Sequence, residues 1–288
     1  MCAACLWAVS SVVYGRIGQR IPPLELNLIK GGIAIALLIF TLFLQGSPNS
    51  EIAPTTLCLF LLSGVLGIGL GDTAFFIALS YLGARRALLM ETLAPPMTAI
   101  LALIFLQEEL SLIAMRGILL TVLGVAWVVT ERVPTKSDSP FHLWQGISFG
   151  VLAAIALSTG AVLSRAAYAT TSISPMLAAL LRLVGGVSIL LPWVWLRHKQ
   201  SHFQFKTLHS AKIFAAIFFA AFAGTYLGIW LQQTAIKFTA AGIALTLSNT
   251  SPLFVIPIAI CLGERVSLRA TLGVVIALSG VALLLLLR

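Results

Sequence analysis

The chain has 288 residues, of which 59% are hydrophobic and only 9% are charged, and its formal net charge is +9. Soluble domains carry about 25% charged residues, so this composition excludes a water-soluble globular protein and indicates a chain whose solvent is lipid. The lysines and arginines are scattered through short connections and form no basic face, which argues against a nucleic-acid partner.

The cysteines and histidines indicate no metal site, no disulfide framework and no cofactor. The four cysteines lie in apolar segments without a CxxC motif, and the four histidines lie in polar connections. The chain begins MCAACLWAVSSVVYG, which lacks the basic region and the cleavage site of a signal peptide. We therefore expect this stretch to be the first helix of the mature protein, with the true start either here or upstream.

Windows of about 20 apolar residues, the length of one bilayer crossing, predict ten membrane-spanning helices. In chain order they cover residues 1–17, 24–45, 55–80, 85–106, 111–130, 144–166, 175–196, 212–236, 240–262 and 267–287. The most polar stretch, residues 131–142, is predicted to link a first repeat of five helices (1–130) to a second (143–288). The predicted fold class is an all-α integral membrane protein embedded in a lipid bilayer.

Residues 69–129 and 226–285 read as diverged copies of one another. The aligned pairs include Gly71 and Gly228, Pro95 and Pro252 and, after a one-residue shift, Glu108 and Glu264 and Gly124 and Gly280. Because five crossings is an odd number, the second copy enters the membrane from the opposite face, so the repeats are predicted to be inverted. Such an architecture has two near-equivalent packings, and alternating access follows from exchanging them.

Three ionisable residues lie inside spans of the first half, namely Lys30, Asp72 and Glu91. A charge at helix depth costs at least about 2.5–3.5 kcal/mol on insertion scales, so it needs a partner or water. Counted at about 1.5 Å per residue, the three are predicted to lie roughly 9–12 Å below the same membrane face. Glu91 is the first candidate for a proton-coupling carboxylate and Asp72 the second. The structural alternatives are an ion pair between Lys30 and Glu91 and an Asp72 that reaches the polar rim.

Arg182, in the seventh span, is the informative charge of the second half. Inversion places it in a layer near the opposite face, among polar residues that include no carboxylate: Gln232, Gln233, Thr246, Ser248 and Asn249. An arginine with neutral neighbours can bind a substrate carboxylate through its planar fork of donors. The alternative is an Arg182 that reaches the surface or bonds helix carbonyls. The candidate cavity residues are Arg182, Lys30, Asn249, Ser248, Gln232, Trp7 and Tyr226.

The aromatic residues and prolines inside the spans each have a functional and a structural interpretation. Trp7 and Tyr226 can stack on a substrate, although such residues also anchor membrane interfaces. Pro95 and Pro252 each remove one helix hydrogen bond, so the fourth and ninth helices are predicted to bend near their centres. These bends are either gating hinges or static packing kinks.

Several features recur in the same order through both halves. They are Trp7 in the first helix, a cation in the second helix of each half (Lys30, Arg182), the helix-interior prolines (Pro95, Pro252), and the connections Glu109–Ser111 and Gly263–Ser267 with glycines beyond (Gly117, Gly124, Gly273, Gly280). In this combination nearly the whole chain resembles the EamA family of the drug/metabolite transporter superfamily. Lys30 stands where an arginine is more usual, and the first helix is short.

The resemblance implies a ten-helix inverted-repeat carrier with a central cavity between the halves. It implies small metabolites as substrates, often amino acids or related compounds and often moved outward, and we expect a bacterial plasma (inner) membrane. Basic connections, above all residues 197–212, lie on the face opposite the termini, so the positive-inside rule favours external termini. The resemblance implies cytoplasmic termini instead. Orientation, and the choice between monomer and homodimer, stay open.

Other functional classes fit the sequence less well. An intramembrane enzyme needs a nucleophile and a base or a metal set, and no predicted span contains a histidine, so no enzyme is expected. A channel needs a ring of like groups or repeated filter loops. A flippase for lipids or lipid-linked sugars is the runner-up, because inverted bundles can open sideways to lipid, and an uncoupled facilitator or exchanger is the other alternative. We predict an exporter of small polar metabolites driven by protons or by exchange.

Overall fold

The computed structural model describes residues 1–18, 21–46, 52–108, 111–129, 140–198, 210–251, 253–254, 258 and 268–285. Within these ranges all regular secondary structure is helical. Five of the described helices are long and apolar enough to cross a membrane, namely Pro23–Gln45, Pro54–Gly83, His142–Ala169, Pro175–Leu196 and Ala211–Phe238. Shorter apolar helices cover Cys2–Ile17, Ala94–Leu106 and Leu112–Gly124. The protein is therefore an all-helical, multi-pass membrane protein.

The helices of the first half are α1 (Cys2–Ile17), α2 (Pro23–Gln45), α3 (Pro54–Gly64), α4 (Thr73–Glu91), α5 (Ala94–Leu106) and α6 (Leu112–Val129). Prolines begin α2 and α3, where the missing N–H is not needed by the helix. A π-helical segment, π1 (Val65–Asp72), continues α3 into α4. Gly83, whose φ is 75°, then kinks α4 at the end of the third span.

The helices of the second half are α7 (Pro140–Ala169), α8 (Pro175–His198), α9 (Ala211–Ala220), α10 (Gly228–Phe238), α11 (Ala241–Ser248) and α12 (Leu268–Leu285). A second π-helical segment, π2 (Ala221–Leu227), continues α9 into α10. Gly71 aligns with Gly228 in the two copies, so residues 65–72 align with residues 222–229. The two π segments therefore occupy matched positions in the two halves.

The fourth predicted span is two helices, not one bent helix. α4 ends at Glu91, and α5 begins at Ala94 with Pro95 in its first turn. Proline is tolerated in the first turn and disfavours helix in the residue before it, so it marks a helix start here. This corrects the expected bend at Pro95 in the centre of a continuous helix. In the second half α11 ends at Ser248, before a turn that aligns with this break, while Pro252 lies outside the described residues.

Glycines let α3 and α8 approach until their backbones touch. A Cβ atom added to Gly64 would overlap the carbonyl of Arg182, and one added to Gly185 would overlap the carbonyl of Leu61. Such small-residue contacts are a common way for helices to pack in membranes, where no hydrophobic effect draws helices together. The contact fixes the backbone of Arg182 against the third span, next to π1.

Candidate functional site

A cavity lies among helices of both halves. From the first half it is lined by Trp7, Ser10, Ser11, Tyr14, Lys30, Gly67, Ile68, Asp72, Phe75, Phe76 and Glu91, and from the second half by Leu157, Arg182, Gly224, Thr225, Ile229, Gln232 and Asn249. Its empty space, including the part open to the surroundings, is about 700 Å³. The charged residues of the two halves therefore face one shared space, although the sequence places Arg182 nearer the opposite membrane face.

Lys30 and Asp72 form an ion pair in this cavity. The Lys30 ammonium donates to Oδ2 of Asp72, and its Nζ also lies 5.1 Å from the centre of the Phe76 ring. Lys30 is buried, whereas about a quarter of the Asp72 side chain is exposed. The pair corrects the alternative in which Lys30 binds Glu91, because Asp72 ends π1 on the side that faces α2.

Glu91 lies at the break between α4 and α5. Its backbone carbonyl accepts a hydrogen bond from Nδ2 of Asn249, with the two atoms 2.9 Å apart. Asn249 lies at the matching break after α11, so the two broken helices meet where their regular hydrogen bonding stops. Among the described residues no cation forms an ion pair with the Glu91 carboxylate. Discontinuous helices of this kind commonly form substrate and ion sites in secondary transporters.

Arg182 is 1% exposed, which excludes the alternative that its side chain reaches the surface. Within the part of the chain that the structure describes, its Nε and Nη1 atoms have no hydrogen-bond partner. A Cβ atom at Gly67 would stand 2.9 Å from Nη2, so the guanidinium occupies space left by the missing side chain of Gly67. Gln232, which also lines the cavity, has an Nε2 atom without a described partner. The cavity therefore holds several hydrogen-bond donors that nothing described satisfies.

Trp7 forms a wall of the cavity and is fixed by π2. Its Nε1 donates to the carbonyl oxygen of Gly224 at 2.6 Å, and a Cβ atom at Gly228 would overlap its ring. A side chain of the first half is thereby held against the backbone of the second half. Ser10, Ser11 and Tyr14 follow Trp7 along the same face of α1, at the helical spacing that places side chains on one side.

Two candidate residues lie outside the lining of this cavity. The Tyr226 hydroxyl is 2.9 Å from Oγ1 of Thr41, and its ring stacks on Phe222, so it packs toward α2 instead. Ser248 is buried in the last turn of α11, one residue before Asn249. Conversely, Phe75 and Phe76 line the cavity but are absent from the sequence-based set. Their positions three and four residues after Asp72 could have indicated them.

A second polar group, here named the Glu108 cluster, ties the halves together at one end of the bundle. Glu108 forms an ion pair with Arg165 of α7 and accepts a hydrogen bond from the backbone N–H of Ala241, at 3.1 Å. Arg165 donates through Nη1 to the carbonyls of Ile236 and Lys237, at 3.1 and 2.9 Å. Glu108, two residues after the end of α5 in the first half, is thus bonded to α7 and α11 of the second half.

Comparisons with known proteins agree with this architecture. The model of the EamA-like transporter family matches residues 1–130 and 144–286. The uncharacterized transporter YyaM of Bacillus subtilis (strain 168) is 26% identical over 268 residues, which cover 87% of this chain and 80% of that protein. A crystal structure with 16% sequence identity has a TM-score of 0.79 and covers 99% of this chain and 94% of its own, a likeness of fold alone.

These matches point to a membrane transporter and not to an enzyme. The family model matches twice, once in each half, and together the two matches cover most of the chain. The spans that the structure describes are those of a multi-pass membrane protein. The chain therefore belongs to the EamA-like transporter family.

Proposed function

We propose that this protein exports small carboxylated metabolites, such as amino acids or related compounds, across a bacterial inner membrane by alternating access. The observation that carries the proposal is the guanidinium of Arg182, buried beside the cavity with two donors that no described residue satisfies. Leaving a buried charge without a counter-charge costs several kcal/mol, so an anionic ligand that pairs with it gains correspondingly. A carboxylate fits the planar donor fork of arginine.

Glu91 is the proposed coupling residue, because Asp72 is already occupied by Lys30. A carboxylate that lines a cavity inside the helix bundle without a described cation partner is well suited to exchange a proton during the transport cycle. Its place at a helix break supports the same role. The backbone carbonyl of Glu91 accepts the hydrogen bond of Asn249, so a movement of Glu91 would be transmitted to the second half. We therefore assign proton coupling to Glu91 and leave Asp72 as the partner of Lys30.

Ten crossings in two inverted repeats, residues 1–130 and 143–288 joined by residues 131–142, belong to this proposal. The matched π segments and the matched helix breaks support a shared backbone plan for the two halves. The cavity at their interface supports a site that two alternative packings can expose in turn. Pro95 and Pro252 would flank the points at which the broken helices move.

Uptake of a labelled panel of amino acids and other metabolites into proteoliposomes tests the proposal, with and without an imposed pH gradient. The parent protein is expected to accumulate at least one carboxylated substrate against its gradient when the pH gradient is present. Glu91→Gln is expected to lose this accumulation but to keep exchange of labelled for unlabelled substrate, because the amide cannot release a proton while the cavity is retained.

The matched control is Gln107→Glu, which adds a carboxylate on the exposed turn after α5, outside the cavity. This control is expected to accumulate substrate as the parent does. Equal accumulation by the parent and Glu91→Gln would remove Glu91 from coupling. Equilibration without accumulation in both proteins would identify a facilitator or exchanger. Transport that ignores water-soluble compounds and is competed by an amphiphile would favour the flippase.

A further inference from the structure

Helix α2 contacts π1 at two points on one helix face. Lys30 forms its ion pair with Asp72, the last residue of π1. Three residues earlier, Nδ2 of Asn27 donates to the carbonyl oxygen of Ile68 and to Oγ1 of Thr73, each at 2.9 Å. Asn27 is 0% exposed and does not line the cavity, so its amide touches protein and no substrate.

The hydrogen bonds at π1 show why a buried amide is needed there. Oγ1 of Thr73 donates to the carbonyl of Gly69 at 2.6 Å, while Asn27 bonds the carbonyl of Ile68. Two consecutive carbonyls of π1 thus receive side-chain donors, and Asn27 holds both Ile68 and the donor to Gly69. A π segment is an uncommon departure from the α-helix, frequent at functional sites, and it persists where its surroundings stabilise it.

We propose that Asn27 is the positioning residue for the Lys30–Asp72 pair, because it holds π1 in the geometry that turns Asp72 toward α2. An α-helical residue turns the chain by about 100°, and a π turn holds one residue more than an α turn, so relaxation of one π turn to α-helix would rotate Asp72 by about that angle relative to α3. The carboxylate would then leave the Lys30 ammonium and the cavity. The role of the pair in transport rests on the proposed function, whereas the orientation of Asp72 does not.

The orientation of residue 72 can be measured without any transport assay. In a chain whose four cysteines are replaced by alanine, Asp72→Cys should react with a membrane-impermeant methanethiosulfonate because position 72 lines the cavity. Adding Asn27→Leu, which keeps the volume but removes the donor, is expected to slow this reaction by about tenfold or more, since only a water-exposed thiolate is attacked. Glu91→Cys, on another cavity wall, should react equally fast with and without Asn27→Leu.

Thr56→Val is the matched control for lost stability, because it removes the hydrogen bond of the buried Thr56 of α3 to Thr170, away from the cavity. It should leave the reaction at position 72 unchanged. Equal reaction rates at position 72 with and without Asn27 would overturn the proposal, as would equal slowing at positions 72 and 91. If Asn27→Leu does not fold, Asn27→Ser replaces it, because serine is too short to reach both acceptors. The same results at positions 72 and 91 are then expected, and the same results would overturn the proposal.

Transport then tests the role of the pair separately. Asn27→Leu is expected to reduce turnover in the parent background and to add no further loss in an Asp72→Asn background, because the two changes then act through one step. Additive losses would show that Asn27 acts elsewhere than through Asp72. Failure of the proposed transport function would leave the labelling result intact, so the two failures are distinguishable.

Discussion

In the proposed mechanism, Arg182 is the residue on which substrate recognition depends most directly. Hydrogen bonds to a charged group contribute about 1.5–3 kcal/mol, so Arg182→Gln is expected to weaken the apparent affinity for a carboxylated substrate about 10- to 150-fold. The uncharged carboxamide analogue of that substrate should lose much less. The measurement is the concentration dependence of uptake for both compounds.

Arg116→Gln is the control for Arg182, since it removes an exposed arginine of α6 that does not line the cavity. It should leave both affinities near the parent values. An Arg182→Gln variant that still prefers the carboxylate over the carboxamide as strongly as the parent does would remove Arg182 from substrate binding.

At the scale of helices, the Glu108 cluster fixes the beginning of α11. The carboxylate of Glu108 accepts the hydrogen bond of the Ala241 N–H, one of the amides that a helix cannot satisfy by itself. Such a cap contributes about 1 kcal/mol, so Glu108→Ala should speed hydrogen exchange in the first turn of α11 about fivefold. Hydrogen-exchange mass spectrometry of the protein in nanodiscs measures this rate.

Lys237→Met provides the comparison within the same end of the bundle. The ammonium of Lys237 donates to the carbonyls of Ser172 and Ile173 at 3.0 and 2.8 Å, and its hydrogen bonds to described residues include none to α11. This variant should leave exchange at the start of α11 unchanged. Exchange there that is insensitive to Glu108→Ala would mean that Ala241 is held by other contacts.

The grouping of the charged residues of the first half could be predicted from the sequence, but their pairing could not. Residue counts along the helices predict a common layer for Lys30, Asp72 and Glu91, and the three side chains line one cavity. Lys30 pairs with Asp72 and not with Glu91 because of π1. The extra residue in a π turn rotates the side chain of Asp72 toward α2. Nothing in VLGIGLGD, residues 65–72, distinguishes a π segment from an ordinary apolar helix.

Among the helices, too, some features follow from the local sequence and others from tertiary packing. Long apolar stretches such as Pro23–Gln45 and Pro175–Leu196 are found where hydropathy places them. The break after Glu91 carries only a local signal, Pro95, which fits a bend as well as a new helix. The Glu108–Arg165 pair joins residues 57 positions apart, and only the packing of the halves brings them together.

At the scale of the whole molecule, the proposed ten crossings with an inverted second half would fix which connections share a membrane face. Single cysteines at Ser137 and Ser201, in the connections that follow the fifth and seventh predicted spans, are expected to react from one side of oriented vesicles. A cysteine at Ser50, after the second span, should react only from the other side. The measurement is labelling by an impermeant thiol reagent before and after permeabilisation.

Reaction of Ser50→Cys and Ser201→Cys from the same side would contradict the ten-crossing topology. The side that labels Ser137→Cys also decides between the positive-inside rule and the family resemblance, since it fixes the orientation of the whole chain. Both results are independent of transport activity.

The charges around the cavity are divided unequally between two halves that share one backbone plan. The first half contributes one lysine and two carboxylates, whereas the second half contributes an arginine and neutral amides. A symmetric pair of first halves would enclose a surplus of acid, and a symmetric pair of second halves would enclose uncompensated arginines, both costly inside a membrane. With the charges divided in this way, neither half can replace the other, and electrostatics opposes an assembly of two identical halves.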